Sequence, residues 1–212
     1  MRVYHLCHAN HAISNISLKR LKISRFHDLN DPFELLAGNL TDASLRVATE
    51  KFKDDFDRNR GILCFSRNWK NPVLWSHYAD KHRGICLGFD LKDFYAQEVK
   101  YSDNRLYPDA KKHIKYGKIS AYVLDSFLTK YSHWQYEEEV RALFDLGECT
   151  MENGLYFFGF SDVLVLKEVI IGARCDVSYE ELDKLLSNIH PDVKLRKSRL
   201  SWDSYSVVED TQ

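Results

Sequence analysis

Short apolar runs, each the length of one β-strand, recur along the chain and are separated by segments with helical spacing. Short strands between separated helices are typical of an α+β fold with a mixed or antiparallel sheet and flanking helices. No internal repeat and no Gly/Pro linker divides the sequence, so we expect a single domain over residues 1–212. The predicted strands include residues 2–7, 18–24, 62–66, 84–90, 135–144, 154–160, 166–172, 193–198 and 204–208.

Helix signals fall between these strands. Asn71 followed by Pro72 supplies a cap and a first-turn proline, and Ser178 with Glu181 forms a capping box before a stripe of leucines. Apolar residues at intervals of three and four support the remaining helices. The predicted helices lie at residues 12–16, 41–60, 73–80, 119–131 and 178–189.

Composition narrows the class of protein. The chain has 30 basic and 31 acidic side chains, and its net charge of −1 gives no general bias toward nucleic acid or membranes. The five cysteines are far apart and form no CxxC pair, which indicates buried thiols in a reducing compartment. The opening MRVYHLCHAN lacks the apolar core of a signal peptide, and no apolar run would span a bilayer. We expect a soluble cytoplasmic protein with no membrane partner.

Three consecutive glutamates interrupt the predicted strand at residues 135–144. Alternation along a strand would place Glu137, Glu139 and Arg141 on one face and Glu138 on the other. Two carboxylates beside an arginine can be held ionised, and they can stabilise positive charge on a sugar carbon or hold a metal ion. A solvated strand face with a simple ion pair explains the same residues equally well.

Other polar residues offer weaker candidates for a metal site. Asp31 and Glu34, in the loop LNDPFE, suit either an acidic metal-binding loop or a turn in which Asp31 fixes the backbone before Pro32, and the turn is favoured. Histidines at positions 5, 8 and 11 cross a strand, a turn and a helix start, so they do not share a face. We expect no metal at these positions.

Trp75 and Tyr78 are neighbours on the helix predicted at residues 73–80. Such a pair usually packs in a core, but the two rings can also line a cleft and stack on a planar ligand. Ser66 ends an apolar strand outside any GxSxG elbow, and the sequence has neither GxGxxG nor a P-loop. A serine hydrolase, an ordinary dinucleotide fold and a P-loop enzyme are therefore not expected.

Four motifs occur in a fixed order: LNDPFE at residues 29–34, CFS at 64–66, LWSHYADKHRGICLGF at 74–89, and W-x-x-E-x-E-x-R at 134–141. Together they resemble a bacterial domain family of uncharacterised function. The resemblance covers most of the chain, but it names no activity.

The order of elements also resembles the ADP-ribosyltransferase fold, including its DNA- and RNA-modifying, toxin-like members. In that fold a first strand bears an inward histidine or arginine, a middle strand ends in serine or tyrosine, and a late strand bears a glutamate. The corresponding positions here are His5, Ser66 and Glu139, with Glu137 two residues earlier as in an ExE motif. The resemblance implies one ADP-ribosyltransferase-like domain with a split β-sheet core.

The resemblance also implies roles for individual residues. Glu139, with Glu137 as the other candidate, is the expected catalytic residue, since a carboxylate can grip a ribose hydroxyl and face the positive charge that develops on the sugar. His5, Ser66 and Arg141 are expected to bind NAD, which serves as a substrate. The expected stacking partner of the nicotinamide is Tyr78 or Trp75. In that fold a histidine on the first strand usually accompanies a tyrosine on the middle strand, and Tyr78 would supply this aromatic group here.

The function implied by the resemblance is transfer of ADP-ribose from NAD to a macromolecular acceptor, either nucleic acid or protein. The setting would be a bacterial toxin or a phage-defence effector, with an antitoxin-like protein as a partner. Two alternatives stay open: a metal-dependent nuclease that uses Asp31, Glu34 and the glutamate strand, and a non-catalytic sensor or partner-binding module. Convergence of His5, Ser66 and Glu139 on one cleft would favour the transferase.

Overall fold

A computed structural model describes residues 1–107 and 125–211, and these residues form an α+β fold with a mixed sheet. The strands are β1 Arg2–Cys7, β2 Arg20–Ile23, β3 Arg60–Ser66, β4 Ile85–Leu91, β5 Gln97–Glu98, β6 Lys100–Ser102, β7 Thr129–Tyr131, β8 Glu139–Asp145, β9 Thr150–Glu152, β10 Leu155–Gly159, β11 Leu164–Ile171, β12 Lys194–Leu200 and β13 Val207–Glu209. The helices with described bounds are α1 Ala9–Ser17, α2 Ala43–Asn59, α3 Pro72–Tyr78 and α4 Tyr179–Ile189, with 3₁₀ helices at Phe26–Asp28, Ser132–Glu137 and Leu146–Glu148.

The main sheet has eight strands in the order β13-β12-β11-β4-β1-β3-β8-β5. Neighbouring strands run antiparallel except for β11 and β12, which are parallel because α4 connects them as a crossover. A three-stranded sheet of β2, β10 and β9 and a two-stranded pair of β6 and β7 complete the described structure. The prediction of an α+β fold with a mixed sheet is confirmed.

The main sheet opens between two of its central strands. Strand β1 pairs with β4 along its whole length, but with β3 it forms one pair only, between Tyr4 and Ser66. Strand β3 pairs fully with β8 on its other side, from Arg60 opposite Asp145 to Ser66 opposite Glu139. Beyond the Tyr4–Ser66 pair, β1 and β3 diverge and leave a gap in the sheet.

Alternation of side chains along the strands divides the core between the two faces of the sheet. Val3 and Leu63 belong to the largest apolar cluster, which α1 and α4 cover through Ile16 and Leu182. The opposite face carries two smaller clusters, one beneath α2 and one beneath α3, where Trp75 is fully buried. The gap between β1 and β3 therefore lies between two well-packed regions.

Most predicted helices are present. The predictions at residues 12–16, 41–60, 73–80 and 178–189 correspond to the four labelled helices, with Asn71 and Ser178 accepting backbone hydrogen bonds as N-caps. The helix predicted at residues 119–131 is wrong at its end, because residues 129–131 form β7. Residues 119–124 of that prediction lie outside the described residues.

Replacing Gly84 with alanine tests the junction that holds α3 against β1. A methyl group at this position would overlap the carbonyl oxygen of Cys7 and lie 2.8 Å from the Cα of Ala79, and neither backbone group can move cheaply. We expect Gly84→Ala to lower the free energy of unfolding by about 1–3 kcal/mol, as overpacking does. Urea denaturation measures this loss. Gly159→Ala is the matched control, since its nearest atom would be 4.0 Å away, and an equal loss in both variants would contradict the prediction.

Candidate functional site

A cavity of about 250 Å³ lies at the gap between β1 and β3. It brings together side chains from six separate parts of the chain: β1, β2 with the residue after it, the loop at residues 28–34, β3, α3, and the segment from β7 to β8. Its volume is just below the range of about 300–1,000 Å³ that is typical of small-molecule pockets. The polar residues that line it are Tyr4, His5, Lys22, Ser24, Asp28, Asn30, Glu34, Cys64, Ser66, Tyr78, Lys130, Glu137 and Glu139.

The three glutamates do not lie on one continuous strand as predicted. Residues 132–137 form a 3₁₀ helix, Glu138 adopts a left-handed conformation with φ of 43°, and β8 begins only at Glu139. The prediction that Glu137 and Glu139 lie together nevertheless holds, because the reversal at Glu138 returns both carboxylates to the same buried site. Glu138 faces away and accepts a hydrogen bond from the side chain of Asn68.

Lys130, at the centre of β7, joins the carboxylates of the site. Its ammonium group lies 2.7 Å from Oε2 of Glu137, 3.3 Å from Oε2 of Glu139 and 3.6 Å from Oε1 of Glu34. The ring of Trp134 adds a cation–π contact, with the ring centroid 4.6 Å from Nζ. The side chains of Lys130 and of its three carboxylate partners are each at most 6% exposed, so little water screens these charges.

Arg141 binds two of these carboxylates, those of Glu34 and Glu139. Its Nε and Nη2 atoms donate to the two oxygens of Glu139 at 2.8 and 3.0 Å, and Nη2 also donates to Glu34 at 2.8 Å. The remaining Nη1 donates to the carbonyl oxygen of Phe127 at 2.6 Å. A fully buried guanidinium is stable only when its donors are satisfied in this way.

The electrostatic balance differs between the two carboxylates that contact Arg141. Burial alone would raise the pKa of Glu139, but the charges of Arg141 and Lys130 outweigh burial and lower that pKa to about 2. Burial raises the pKa of Glu34, and the neighbouring charge of Glu139 raises it further, despite the pull of Arg141. Glu139 is therefore a permanent anion at physiological pH, and Glu34 holds its negative charge less firmly.

Tyr78, the last residue of α3, closes the site toward the cavity. Its hydroxyl donates a hydrogen bond to Oε1 of Glu137 and accepts one from Nδ2 of Asn30 at 2.9 Å. Burial and the negative charge of Glu137 raise the pKa of Tyr78, so the hydroxyl keeps its proton. Glu137 thus meets a fixed cation on one oxygen and a neutral donor at the cavity wall on the other.

His5 and Ser66 line the cavity from opposite faces of the sheet. Residues opposite each other on antiparallel strands share a face, so Tyr4, Ser66 and Glu139 form one row across β1, β3 and β8. His5 points to the other face, where it contacts Phe65 edge to face, and its Nδ1 lies 3.2 Å from the carbonyl oxygen of Cys64. Burial lowers the pKa of His5, which favours the neutral ring.

The hydroxyl of Ser66 is already engaged in a local turn. It donates to the carbonyl oxygen of Asn68 at 2.9 Å and accepts from the amide of the same residue at 3.0 Å. This turn directs the chain away from β3 and toward α3. A ligand at Ser66 would therefore use the remaining lone pair of the hydroxyl or displace the turn contact.

Two expected ligand-binding residues do not line the cavity. Trp75 is fully buried, its indole nitrogen donates to the carbonyl oxygen of Trp69 at 2.6 Å, and its ring stacks on His82. The expectation that Trp75 stacks on a ligand is wrong for this reason, whereas Tyr78 does reach the cavity. Arg141 is also fully buried and acts on the site only through Glu139 and Glu34.

Sequence reasoning missed Lys130, Asn30 and Tyr4. Lys130 was assigned to a helix, although a lysine inside the apolar stretch FLTKY is a signal of a buried ion pair. Asn30 belongs to LNDPFE, but only the structure shows that it contacts Tyr78. Tyr4 lies next to His5 on β1, and the register shows that Tyr4, rather than His5, shares a face with Glu139.

The acidic loop forms a turn. Oδ1 of Asp31 accepts a hydrogen bond from the amide of Phe33 at 2.9 Å, as expected for a turn that fixes the backbone around Pro32. Glu34 contributes to the buried cluster and is already paired with Arg141 and Lys130. Within residues 1–107 and 125–211, no three His, Cys, Asp or Glu side chains are arranged to hold a metal ion.

These features define an α+β protein with a buried, ion-paired acidic cluster beside an open cavity. A family model described as "Protein of unknown function (DUF2971)" matches residues 74–142, a segment that includes most of α3, all of β4 and the W-x-x-E-x-E-x-R motif. The LNDPFE and CFS motifs lie outside the matched residues. No curated protein and no solved structure matches the chain. No helix in the described part of the chain is long and apolar enough to cross a membrane.

Arg141→Met tests whether the cluster is a structural requirement. The variant leaves Glu34 and Glu139 buried beside Lys130 alone, and breaking a buried ion network by removing one partner typically costs about 3–5 kcal/mol. Urea denaturation at neutral pH should show this loss in the free energy of unfolding. Arg58→Met is the control, since its partner Asp55 is exposed and the pair contributes at most about 1 kcal/mol. Similar losses for both variants would contradict a special role for Arg141.

The acid dependence of stability should depend on Glu139. Since the folded-state pKa is about 2 and the ordinary value is 4.5, the stabilisation is complete above about pH 4.5 and disappears as the pH falls toward 2. At neutral pH the free energy of unfolding of wild type should exceed that of Glu139→Gln by about 3 kcal/mol. This difference should disappear as the pH falls from about 4.5 toward 2. Urea denaturation at constant ionic strength measures both curves.

Glu34→Gln provides the contrasting control for this experiment. The pKa of Glu34 is raised in the folded state, so the stabilisation from this group is present below its ordinary pKa and is lost as the pH rises. The difference between wild type and Glu34→Gln should change with pH in the direction opposite to that of Glu139→Gln. The same direction for both variants would contradict the assignment of the two pKa shifts.

Proposed function

We propose that this protein is an NAD-dependent ADP-ribosyltransferase that modifies a macromolecular acceptor. The observation that carries the proposal is that His5, Ser66 and Glu139 line one cavity although they are far apart in sequence. They lie on β1, β3 and β8, which are adjacent in the sheet, and the cavity lies where the sheet opens between the first two. This arrangement supports the resemblance to the ADP-ribosyltransferase fold, which implies these three positions.

The acidic cluster suits the chemistry of breaking a nicotinamide–ribose bond. The electron pair of that bond leaves with nicotinamide, positive charge develops on the sugar, and an acceptor nucleophile attacks the same carbon. A carboxylate that stays ionised in a buried site stabilises this charge more strongly than one in water, because little solvent screens it. Glu139, with its pKa near 2, meets this requirement at any physiological pH.

Contact with the substrate falls more naturally to Glu137 than to Glu139. Arg141 binds both carboxylate oxygens of Glu139, and Lys130 adds a third contact, so Glu139 has little capacity for a ribose hydroxyl. Oε1 of Glu137 is bonded to the hydroxyl of Tyr78 at the cavity wall. A ribose hydroxyl can take the place of that tyrosine as the donor, whereas Glu139 acts through its fixed negative charge.

The other cavity residues would position the rest of the dinucleotide. In its neutral form His5 donates from Nδ1 to the carbonyl oxygen of Cys64, which leaves Nε2 as an acceptor. Tyr78, released from Glu137, offers a ring for stacking on nicotinamide and a hydroxyl donor. Ser66 and Asn30 supply further polar contacts on the same side as Glu139.

Two competing functions receive less support. For a metal-dependent nuclease, Glu34, Glu137 and Glu139 would have to exchange Lys130 and Arg141 for a cation, since both positive side chains already neutralise them. A non-catalytic module predicts a closed, aromatic-filled space between the motif stretches, but the cavity is partly open and its lining includes the side chains of Glu34, Glu137 and Glu139. The role as a toxin or phage-defence effector, with a neutralising partner, remains a prediction.

Incubation with NAD labelled in either the nicotinamide or the adenylate half tests the proposal. We expect release of nicotinamide and transfer of the adenylate label to RNA, DNA or protein from a total cell extract. Release without transfer would indicate NAD hydrolysis by the same site. Absence of nicotinamide release with every acceptor would refute the proposal.

Three single-residue variants assign the glutamates. Glu137→Gln should lower kcat by at least about a hundredfold, because a developing charge loses a direct contact. Glu139→Gln should also lose activity, since the fixed charge disappears. Glu138→Gln is the matched control from the same motif, and its side chain bonds Asn68 outside the cavity lining. Unchanged activity in both Glu137→Gln and Glu139→Gln would rule out this site.

A further inference from the structure

The loop between β12 and β13, residues 201–206, carries two aromatic side chains that pack against almost nothing. Trp202 is 85% exposed, and Tyr205 is fully exposed. By contrast Trp75 is fully buried and Trp69 is 7% exposed. A single exposed apolar residue needs no explanation, but two aromatic rings within four residues on a short hairpin indicate a surface that binds something.

The loop holds these rings on an ordered backbone. The amide of Ser201 donates to the carbonyl oxygen of Ser206 at 2.9 Å, which closes the loop at its base. Inside it, Asp203 accepts hydrogen bonds from the hydroxyls of Ser201 and Ser204, so the one acidic side chain of the loop is bound by its own neighbours. Trp202 and Tyr205 are therefore presented from a formed hairpin and need little ordering on binding.

The aromatic loop, residues 201–206, is followed by a residue that is hydrogen-bonded to the segment after β3. Val207, directly after the loop, donates its amide to the carbonyl oxygen of Lys70 at 2.8 Å and is buried against Trp69. Lys70 is four residues beyond Ser66, which lines the cavity. Four residues span at most about 14 Å, so a polymer bound at the loop can extend to the cavity.

Positive side chains accompany the two rings. The guanidinium carbon of Arg199 lies 5.8 Å from the centroid of the Trp202 ring, Nη1 of Arg199 donates to the carbonyl oxygen of Leu200 at 3.2 Å, and its Nε lies 3.8 Å from Asp210. Lys70 and Lys197 are exposed, and neither pairs with a carboxylate within residues 1–107 and 125–211. The loop thus combines two stacking surfaces with the guanidinium of Arg199 beside the Trp202 ring, and two exposed lysines lie on the segments next to the loop, although the whole chain has no basic excess.

We propose that the aromatic loop docks a single-stranded nucleic acid, which is the acceptor of the reaction. Unpaired bases stack on exposed aromatic rings regardless of sequence, and basic side chains follow the phosphates. A paired duplex hides its base faces and cannot use these rings. A protein partner would need a broader apolar surface, about 800 Å² on each side, than one hairpin tip provides. The role of the nucleic acid as acceptor rests on the proposed function, whereas its docking at the aromatic loop does not.

Fluorescence anisotropy with labelled oligodeoxythymidine and oligouridine tests the docking site in the full chain. We expect wild type to bind single strands more tightly than a duplex, and the two single strands separate DNA from RNA as the source. Trp202→Ala combined with Tyr205→Ala should raise Kd at least tenfold, since each base stacked on an aromatic ring contributes about 1–3 kcal/mol. Trp202→Phe keeps a stacking ring and should bind within about threefold of wild type.

The matched control is Phe94→Ala. Phe94 is 86% exposed, comparable to Trp202, but it follows β4 at the end of the sheet opposite to the one from which β12 projects. Its Kd should equal that of wild type. Equal loss in Phe94→Ala, binding of duplex as tight as that of single strands, or no binding by wild type would each overturn the proposal. The proposal would also be overturned if the loop bound anionic phospholipid vesicles and the double variant bound single strands with the same Kd as wild type.

Activity measurements separate this proposal from the function of the cavity. If both hold, the double variant should release nicotinamide from NAD at the wild-type rate without acceptor, but transfer label to single strands at least tenfold more slowly. Loop-dependent binding of single strands by a protein that never cleaves NAD would refute the transferase and leave the docking site intact. Transfer to protein alone, undiminished in the double variant, would refute the docking site and leave the transferase.

Discussion

The buried guanidinium of Arg141 is the constraint on which this part of the structure depends. A charge with no exposed surface requires opposite charges and hydrogen-bond acceptors, and Glu139, Glu34 and the Phe127 carbonyl accept from four of its five N–H groups. The requirement connects β8 to the loop at residues 28–34 and to the segment before β7. These segments are distant in sequence, and apolar packing alone would not specify their mutual position, since hydrophobic contacts are non-directional.

Lys130 extends this constraint to the cavity. With Arg141 it sets two cations against three carboxylates, so one negative charge is left over when all three are ionised. The pKa shifts of two of these carboxylates are opposite in sign. The charges of Arg141 and Lys130 lower the pKa of Glu139, whereas burial raises the pKa of Glu34. Glu137, at the cavity edge, shares Lys130 and completes its coordination with a tyrosine hydroxyl. Glu137 is thus the carboxylate that a ligand in the cavity can reach, and a ligand hydroxyl can replace its tyrosine partner.

Local patterns in the sequence predicted much of the fold. Caps at Asn71 and Ser178 marked helix starts, and apolar runs marked most of the main-sheet strands, because both signals act over a few residues. The strand prediction at residues 135–144 is wrong at its beginning, where a 3₁₀ helix and the left-handed conformation of Glu138 replace the strand. Glu137 and Glu139 there pair with Lys130, seven and nine residues away in sequence, and strand alternation does not encode such a contact.

The candidate site was predictable only where residue type implied burial or chemistry. Glu137, Glu139 and Tyr78 reach the cavity, yet Trp75 does not, and helical spacing alone could not distinguish the two aromatic rings. The role of Tyr4 depends on strand register, which no single segment encodes.

The opening between β1 and β3 explains why the cavity and the charge cluster coincide. Full pairing of β1 with β3 would have closed the space between these two strands. Instead one pair, Tyr4 with Ser66, holds the two strands together, and Nδ1 of His5 lies within hydrogen-bond distance of the Cys64 carbonyl oxygen on the other face. Full pairing of β3 with β8 keeps the acidic side of the gap rigid. The sheet is therefore closed where charge must be held in place and open where a ligand can reach it.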